Sequence, residues 1–169
     1  MAETIYILMG ANLGDRERNL AVALKQISEM EGIEVTAVSS IYESEPVEMK
    51  DSGPSFLNQV VKCEYQYLPS ELLDSLERIE VSLGRTDKGS RLSRTIDLDI
   101  LFFGAQHIVT PRITVPHKDI LKRPFSLVPL LQIDPDFVHP ISKKPLAGYL
   151  SAIARHSVKL FKDYVEREI

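Results

Sequence analysis

A chain of 169 residues that is 44% hydrophobic and 26% charged has the balance of a globular protein able to close one sizeable core. Its 20 basic residues are outnumbered by 24 acidic ones, a formal charge of −4, which excludes the broad positive field that draws proteins non-specifically to nucleic acid or anionic lipid. Any anion site must therefore be local, and one domain over residues 1–169 is expected.

Residues 4–9 are rich in β-formers and stop at Gly10, after which Asn12, Gly14 and Asp15 supply turn and N-cap chemistry. No basic stretch precedes this run and no small-residue cleavage site follows it, so a cytoplasmic protein without a leader is expected. Leu20, Ala23, Leu24, Ile27 and Met30 then recur at helical spacing opposite Arg16, Glu17, Arg18 and Lys25, and Gly32 marks the helix stop.

Residues 33–42 and 56–67 read as two strands paired antiparallel. The single cysteine, Cys63, falls in the apolar alternation of Leu57, Val61 and Tyr65, which makes it strand core in a reducing compartment. Between the strands, residues 43–55 carry Pro46, Gly53 and Pro54 and form a loop longer than a hairpin needs.

Pro69 and Ser70 open a second helix through Leu72, Leu73, Leu76, Ile79 and Leu83, with Gly84 placed to end it. A polar, basic segment follows, then a strand over residues 96–103 that is apolar apart from two aspartates. The order β-α-β-β-α-β predicts an α+β, ferredoxin-like core: a mainly antiparallel sheet with helices packed on it. Pro111, Pro116, Pro124, Pro129, Pro135, Pro140 and Pro145 break the remainder into a short-element C-terminal extension, with a terminal helix near residues 146–155 and a charged tail that frays.

Strand alternation puts Asp97 and Asp99 on one face and Ile96, Leu98 and Ile100 on the other, with the acidic Cα atoms ~7 Å apart. That spacing suits two carboxylates bridging a pair of Mg²⁺ ions, which prefer hard oxygen ligands; the same pattern also fits the solvent face of an edge strand. Arg85, Lys88, Arg91 and Arg94 lie just upstream, where guanidinium forks suit phosphate oxygens. Residues 84–90 have glycines five apart, but Ser90 stands where a phosphate-binding loop needs lysine, so that motif is rejected. His117, flanked by Arg112 and Arg123, reads by itself as a surface or capping residue.

Together these stretches resemble the 6-hydroxymethyl-7,8-dihydropterin pyrophosphokinase family. The resemblance is carried by RTIDLDILFFG, which holds Arg94, Asp97 and Asp99, by MGANLGDRERNL at the start, and by SFLNQV, RIEVSLGR and ITVPHKDILKRPF. It implies transfer of pyrophosphate from ATP to 6-hydroxymethyl-7,8-dihydropterin, giving the pterin diphosphate and AMP, a step of folate synthesis. It also implies Asp97 and Asp99 as ligands of two Mg²⁺ ions and Arg85 and Arg94 as the catalytic arginines. Glu80, Arg85, Ile100, Arg112, Thr114, His117 and Arg123 would contact ATP, and Ser44, Val47, Phe56, Asn58 and Phe125 the pterin. Phe56 and Phe125 suit a flat bicycle held between two rings, and Asn58, two residues from Phe56 and so on the same strand face, suits its mixed donor–acceptor edge.

The chain departs from the family pattern in two places. Arg91-Leu92-Ser93-Arg94 is one residue shorter than the usual stretch and lacks its tryptophan, and Asp87 stands where other members carry a further arginine. These changes leave open a catalytically impaired ferredoxin-like module that binds pterin or nucleotide, and Asp-x-Asp strands also serve metal-dependent nucleotidyl and glycosyl transferases. An RNA-binding use of the fold is disfavoured by the negative charge and the missing aromatic strand motif. The expected partners are the two small-molecule substrates, with no nucleic acid or membrane, and a monomer is the default.

Overall fold

Strand β1 (Glu3–Ala11) is the buried centre of the sheet: from Ile5 to Ala11 every residue is enclosed, because both faces of the strand are covered. The computed structural model describes residues 2–45, 55–84, 95–151, 154 and 157–164. In these the chain runs β1, α1 (Arg16–Ser28), β2 (Ile33–Val38), β3 (Ile41–Ser44), β4 (Phe56–Tyr65), α2 (Pro69–Ser82) and β5 (Asp97–Phe103). A short hairpin, β6 (Ile108–Val109) and β7 (Thr114–Val115), a 3₁₀ turn (Ile120–Lys122), α3 (Pro124–Ile133), a second 3₁₀ turn (Leu146–Tyr149) and β8 (Lys159–Lys162) follow.

The sheet has the order β5-β1-β4-β3-β8, with β2 also on β4, and its ladders are antiparallel. This is the α+β arrangement that the order of elements predicted. Asp15 caps α1 by accepting the Arg18 N–H. Gly32 turns the chain into β2 at φ 75°, and a Cβ there would run into the Tyr67 ring.

One predicted strand is two. The break falls at Ser39 and Ser40, both buried, whose polar groups find partners outside a regular ladder. The Ser39 hydroxyl accepts the Val60 N–H at 2.9 Å, and the Ser40 N–H donates to the Gln132 side chain at 2.8 Å. Gln132 sits in the last turn of α3, so the same bonds attach that helix to the sheet.

Each face of the sheet has its own core. Ile5, Ile7, Met9, Val61 and Cys63 pack with α1 and α2, and burial pushes the Cys63 thiol up to about 12. Tyr6, Leu8, Val60 and Phe102 pack with α3 and the C-terminal segment. Tyr6 meets Phe102 and Phe137 edge-on, and its hydroxyl donates to Asp134, the C-cap of α3.

The region after β5 is built of short elements, as expected, and α3 is the longest of them among the described residues. Pro124 begins the helix, where its missing N–H costs nothing, and Pro129 lies within it. Leu127, Val128, Leu130 and Leu131 are buried; at roughly 2 kcal/mol each they outweigh the ~3 kcal/mol cost of an interior proline. Two expectations for the C-terminus change. Residues 146–149 of the expected terminal helix form a 3₁₀ turn ending at Leu150, while Ala154 is helical and residues 152, 153 and 155 lie outside the described residues. The tail is not wholly frayed: β8 pairs with β3, Glu43 opposite Lys159. No helix among the described residues is long and apolar enough to cross a membrane.

Candidate active site

Three strand registers draw a line across the sheet: Asp97 on β5 faces Gly10 on β1, Gly10 faces Asn58 on β4, and Asn58 faces Tyr42 on β3. Residues opposite one another share a face, and strands lie about 4.8 Å apart, so Asp97 and Asn58 stand about 10 Å apart on one surface. Asp99 is opposite Leu8, on the face that α3 covers further along. Leu98 and Ile100 point into the opposite core, the alternation expected from the sequence. Both aspartates are half-buried.

On the same surface the Asn58 amide donates to the Ser44 hydroxyl at 2.7 Å, and both residues are buried. Ser44 pairs across the ladder with Phe56. Gly10 lies beneath these two side chains: a Cβ there would sit in ordinary contact, 3.5 Å from Asn58 Oδ1 and 3.6 Å from the Phe56 ring. Phe125, in the first turn of α3, packs against the core on this side of the sheet, and the Arg123 guanidinium lies 5.6 Å from its ring centre.

Along the β5 edge runs a cleft of about 170 Å³, lined by Leu73, Leu98, Asp99, Ile100, Ile113, Thr114, His117 and Lys118. It gathers four of the expected residues: Asp99, Ile100, Thr114 and His117. The segment after β7 is held there by the His117 N–H donating to the Leu101 carbonyl at 2.8 Å. Lys118 is a cation on this cleft that the sequence reading passed over; its position beside His117 was the available signal.

His117 is mostly enclosed rather than on the surface. Its Nδ1 accepts the Asp119 N–H at 3.1 Å, which leaves Nε2 to carry the proton of the neutral ring. Burial, helped by the nearby Arg123 charge, pushes its pKa down to about 4, against the opposing pull of Asp119 and Asp97. At neutral pH it is therefore an uncharged donor.

Glu80 is buried on α2, and its carboxylate accepts the Leu98 N–H at 2.8 Å. This bond fixes the strand between the two aspartates. Arg112 is exposed and drawn to Asp74 and Glu77 on α2, while Arg123 pairs with Asp119 at 3.2 Å. Surface ion pairs of this kind are weak enough to be exchanged for a phosphate. Val47, Arg85 and Arg94 lie outside the described residues, as do Asp87, Lys88 and Arg91.

Among the described residues no three His, Cys, Asp or Glu side chains come together as a metal-binding group. A pair of half-buried carboxylates on one face still suits Mg²⁺, which commonly binds one or two carboxylates and takes its other ligands from water and substrate phosphates.

The sequence profile of the 7,8-dihydro-6-hydroxymethylpterin-pyrophosphokinase family matches residues 6–135. The chain belongs to this family. A 2-amino-4-hydroxy-6-hydroxymethyldihydropteridine pyrophosphokinase of Haemophilus influenzae is 41% identical over 140 residues, 83% of this chain and 87% of that protein. The folic acid synthesis protein fol1 of Pneumocystis carinii is 40% identical over 157 residues, 93% of this chain. The chain spans only 21% of that protein's length and 32% of the folate synthesis bifunctional protein of Arabidopsis thaliana.

Among solved structures, an HPPK-DHPS in complex with substrates superposes with a TM-score of 0.71 at 13% identity, over 88% of this chain and 42% of that one. At that identity the likeness establishes the fold alone. The pyrophosphokinase profile ends near the close of α3, so the second 3₁₀ turn and β8 lie beyond the matched region.

Proposed function

We propose that the chain transfers a pyrophosphoryl group from ATP to 6-hydroxymethyl-7,8-dihydropterin, and that residues 1–169 act as one such domain. The observation that carries this reading is the sheet line: the acid pair and the side chains of Phe56 and Asn58 share one face, two strands apart, in a chain of this family. Triphosphate along the β5 edge and pterin over β4 would then meet above Gly10.

In the reaction the substrate hydroxyl oxygen bonds to the β-phosphorus, the bond to the oxygen bridging α- and β-phosphorus breaks, AMP leaves, and the hydroxyl proton passes to solvent. Asp97 and Asp99 would hold Mg²⁺, which when bound supplies charge neutralisation of the triphosphate. His117 offers its Nε2–H to a phosphate oxygen without adding charge, and Glu80 keeps the acid pair in register through Leu98. Arg85 and Arg94, by the family pattern, stabilise charge on the transferring group. Phe56 and Phe125 take the faces of the pterin, while Asn58 and Ser44 meet its polar edge.

The test is the identity of the nucleotide product. Protein given Mg²⁺, ATP and hydroxymethyl-dihydropterin should release AMP only when the pterin is present. ADP, or inorganic diphosphate from ATP alone, would mark a different transferase, and folded protein that binds pterin yet makes no AMP would be a binding module.

A further inference from the structure

The start of α1 reaches the pterin side of the sheet through one side chain. Arg16 Nη1 donates to Glu43 Oε2 at 2.9 Å and to the Ser55 carbonyl at 2.9 Å. The Ser55 hydroxyl closes the triangle by donating to the same Glu43 oxygen at 2.8 Å. Glu43 precedes Ser44 at the end of β3, and Ser55 precedes Phe56 at the start of β4. One guanidinium thus ties the two backbone positions that deliver three of the proposed pterin contacts, with Asn58 held to Ser44 by its own bond.

The tie is supported from outside the family-matched region. Arg16 lies under the Phe161 ring of β8, 5.7 Å from its centre, and β8 is held in place by its ladder to β3, with the exposed Lys162–Glu17 pair at 3.0 Å adding little. Hydrogen bonds from Ser55 and Arg16 hold the Glu43 carboxyl below its ordinary range, so the acid is ionised throughout the neutral range.

We propose that Arg16 is a positioning residue for the pterin: it fixes Ser44 and Phe56 against each other by bridging Glu43 and Ser55, without touching substrate or nucleotide. The proposal rests on the pyrophosphokinase reading above. Both bonds leave Nη1, and a guanidinium is suited to the task because its rigid plane is pre-organised, so less side-chain freedom is lost per bond than with the flexible stem of a lysine.

The experiment compares wild type, Arg16→Gln, Arg16→Lys and Lys162→Ala. Pterin affinity is read by equilibrium binding of hydroxymethyl-dihydropterin in the presence of a non-hydrolysable ATP analogue, alongside KM for ATP, AMP formation and Tm. Arg16→Gln is expected to weaken pterin binding about tenfold with the ATP KM changed less than twofold. Arg16→Lys should recover part of the loss, and Lys162→Ala, which breaks only the outer pair, should match wild type. Unchanged pterin affinity in Arg16→Gln overturns the proposal, as does an equal weakening of both substrates with a lowered Tm, which marks a purely structural residue. Wild type that binds pterin but makes no AMP sinks the pyrophosphokinase reading and leaves the positioning role standing; wild type that binds no pterin overturns both.

Discussion

Replacing Asp97 by Ala is expected to lower pterin-dependent AMP formation by about three orders of magnitude while moving Tm by no more than about 2 °C. The rate effect follows from charge. A carboxylate that holds the ion neutralising a triphosphate accounts for several kcal/mol in the transition state, and each ~1.4 kcal/mol is tenfold in rate. The small stability effect follows from position. Asp97 is half-buried at the start of β5 and faces Gly10, so its loss leaves no core cavity, and substitutions away from a core stay within about 0.5 kcal/mol. For a chain of this size that is ~1–2 °C. Steady-state AMP release and a thermal melt on the same preparation check both halves. Activity within tenfold of wild type would remove Asp97 from the metal site, and a Tm lowered by 8 °C or more would turn the loss into a folding defect.

The core of the fold was legible because its periods are clean. Leu20, Ala23, Leu24 and Ile27 on α1 and Leu72, Leu73, Leu76 and Ile79 on α2 are buried as their spacing predicted, and Leu98 and Ile100 turn inward between outward aspartates. Where the reading failed, tertiary contacts overrode local signals. Pro124 and Pro129 look like breakers one at a time, yet α3 survives because the outer face of the sheet is apolar and needs covering. Strand β8 has four exposed residues and no apolar alternation to announce it; only the free edge of β3 makes it a strand.

The site divides along the same lines. Asp97 and Asp99 are visible from alternation alone, because a strand face depends on parity and nothing else. The Arg16–Glu43–Ser55 triangle joins residues 27 and 39 positions apart, a closure that no local pattern encodes. His117 was half legible: its Nδ1 does accept the Asp119 N–H as a capping residue would, but the surface loop that the polar residues and prolines around it suggest is not formed, because the segment after β7 hydrogen-bonds to β5 and carries the ring inward.

That enclosure makes the chain acid-sensitive in a way that can be isolated. His117 has a folded pKa of about 4 against an ordinary value of 6.5, so between those pH values the unfolded chain binds more protons and stability rises with pH. The contribution is fully present above about pH 6.5 and is lost as pH falls through about 4. The full difference of roughly 2.5 units, at ~1.4 kcal/mol each, amounts to about 3.5 kcal/mol, of which about 3 kcal/mol, or roughly a hundredfold in the folding equilibrium, is lost by pH 4, where the folded ring is half-protonated. Carboxylates also titrate in this range, so the informative quantity is a difference between two proteins. In His117→Asn the side-chain oxygen can still accept the Asp119 N–H that Nδ1 accepts now, but nothing titrates. Urea melts in EDTA at pH 7 and pH 4 should show wild type losing about 3 kcal/mol more than this variant. Equal losses would mean that the ring is charged or solvated in the folded chain. The donor role predicts in addition that kcat/KM of wild type stays flat through the ordinary histidine range, since the Nε2 proton is already in place and no charge is gained or lost there.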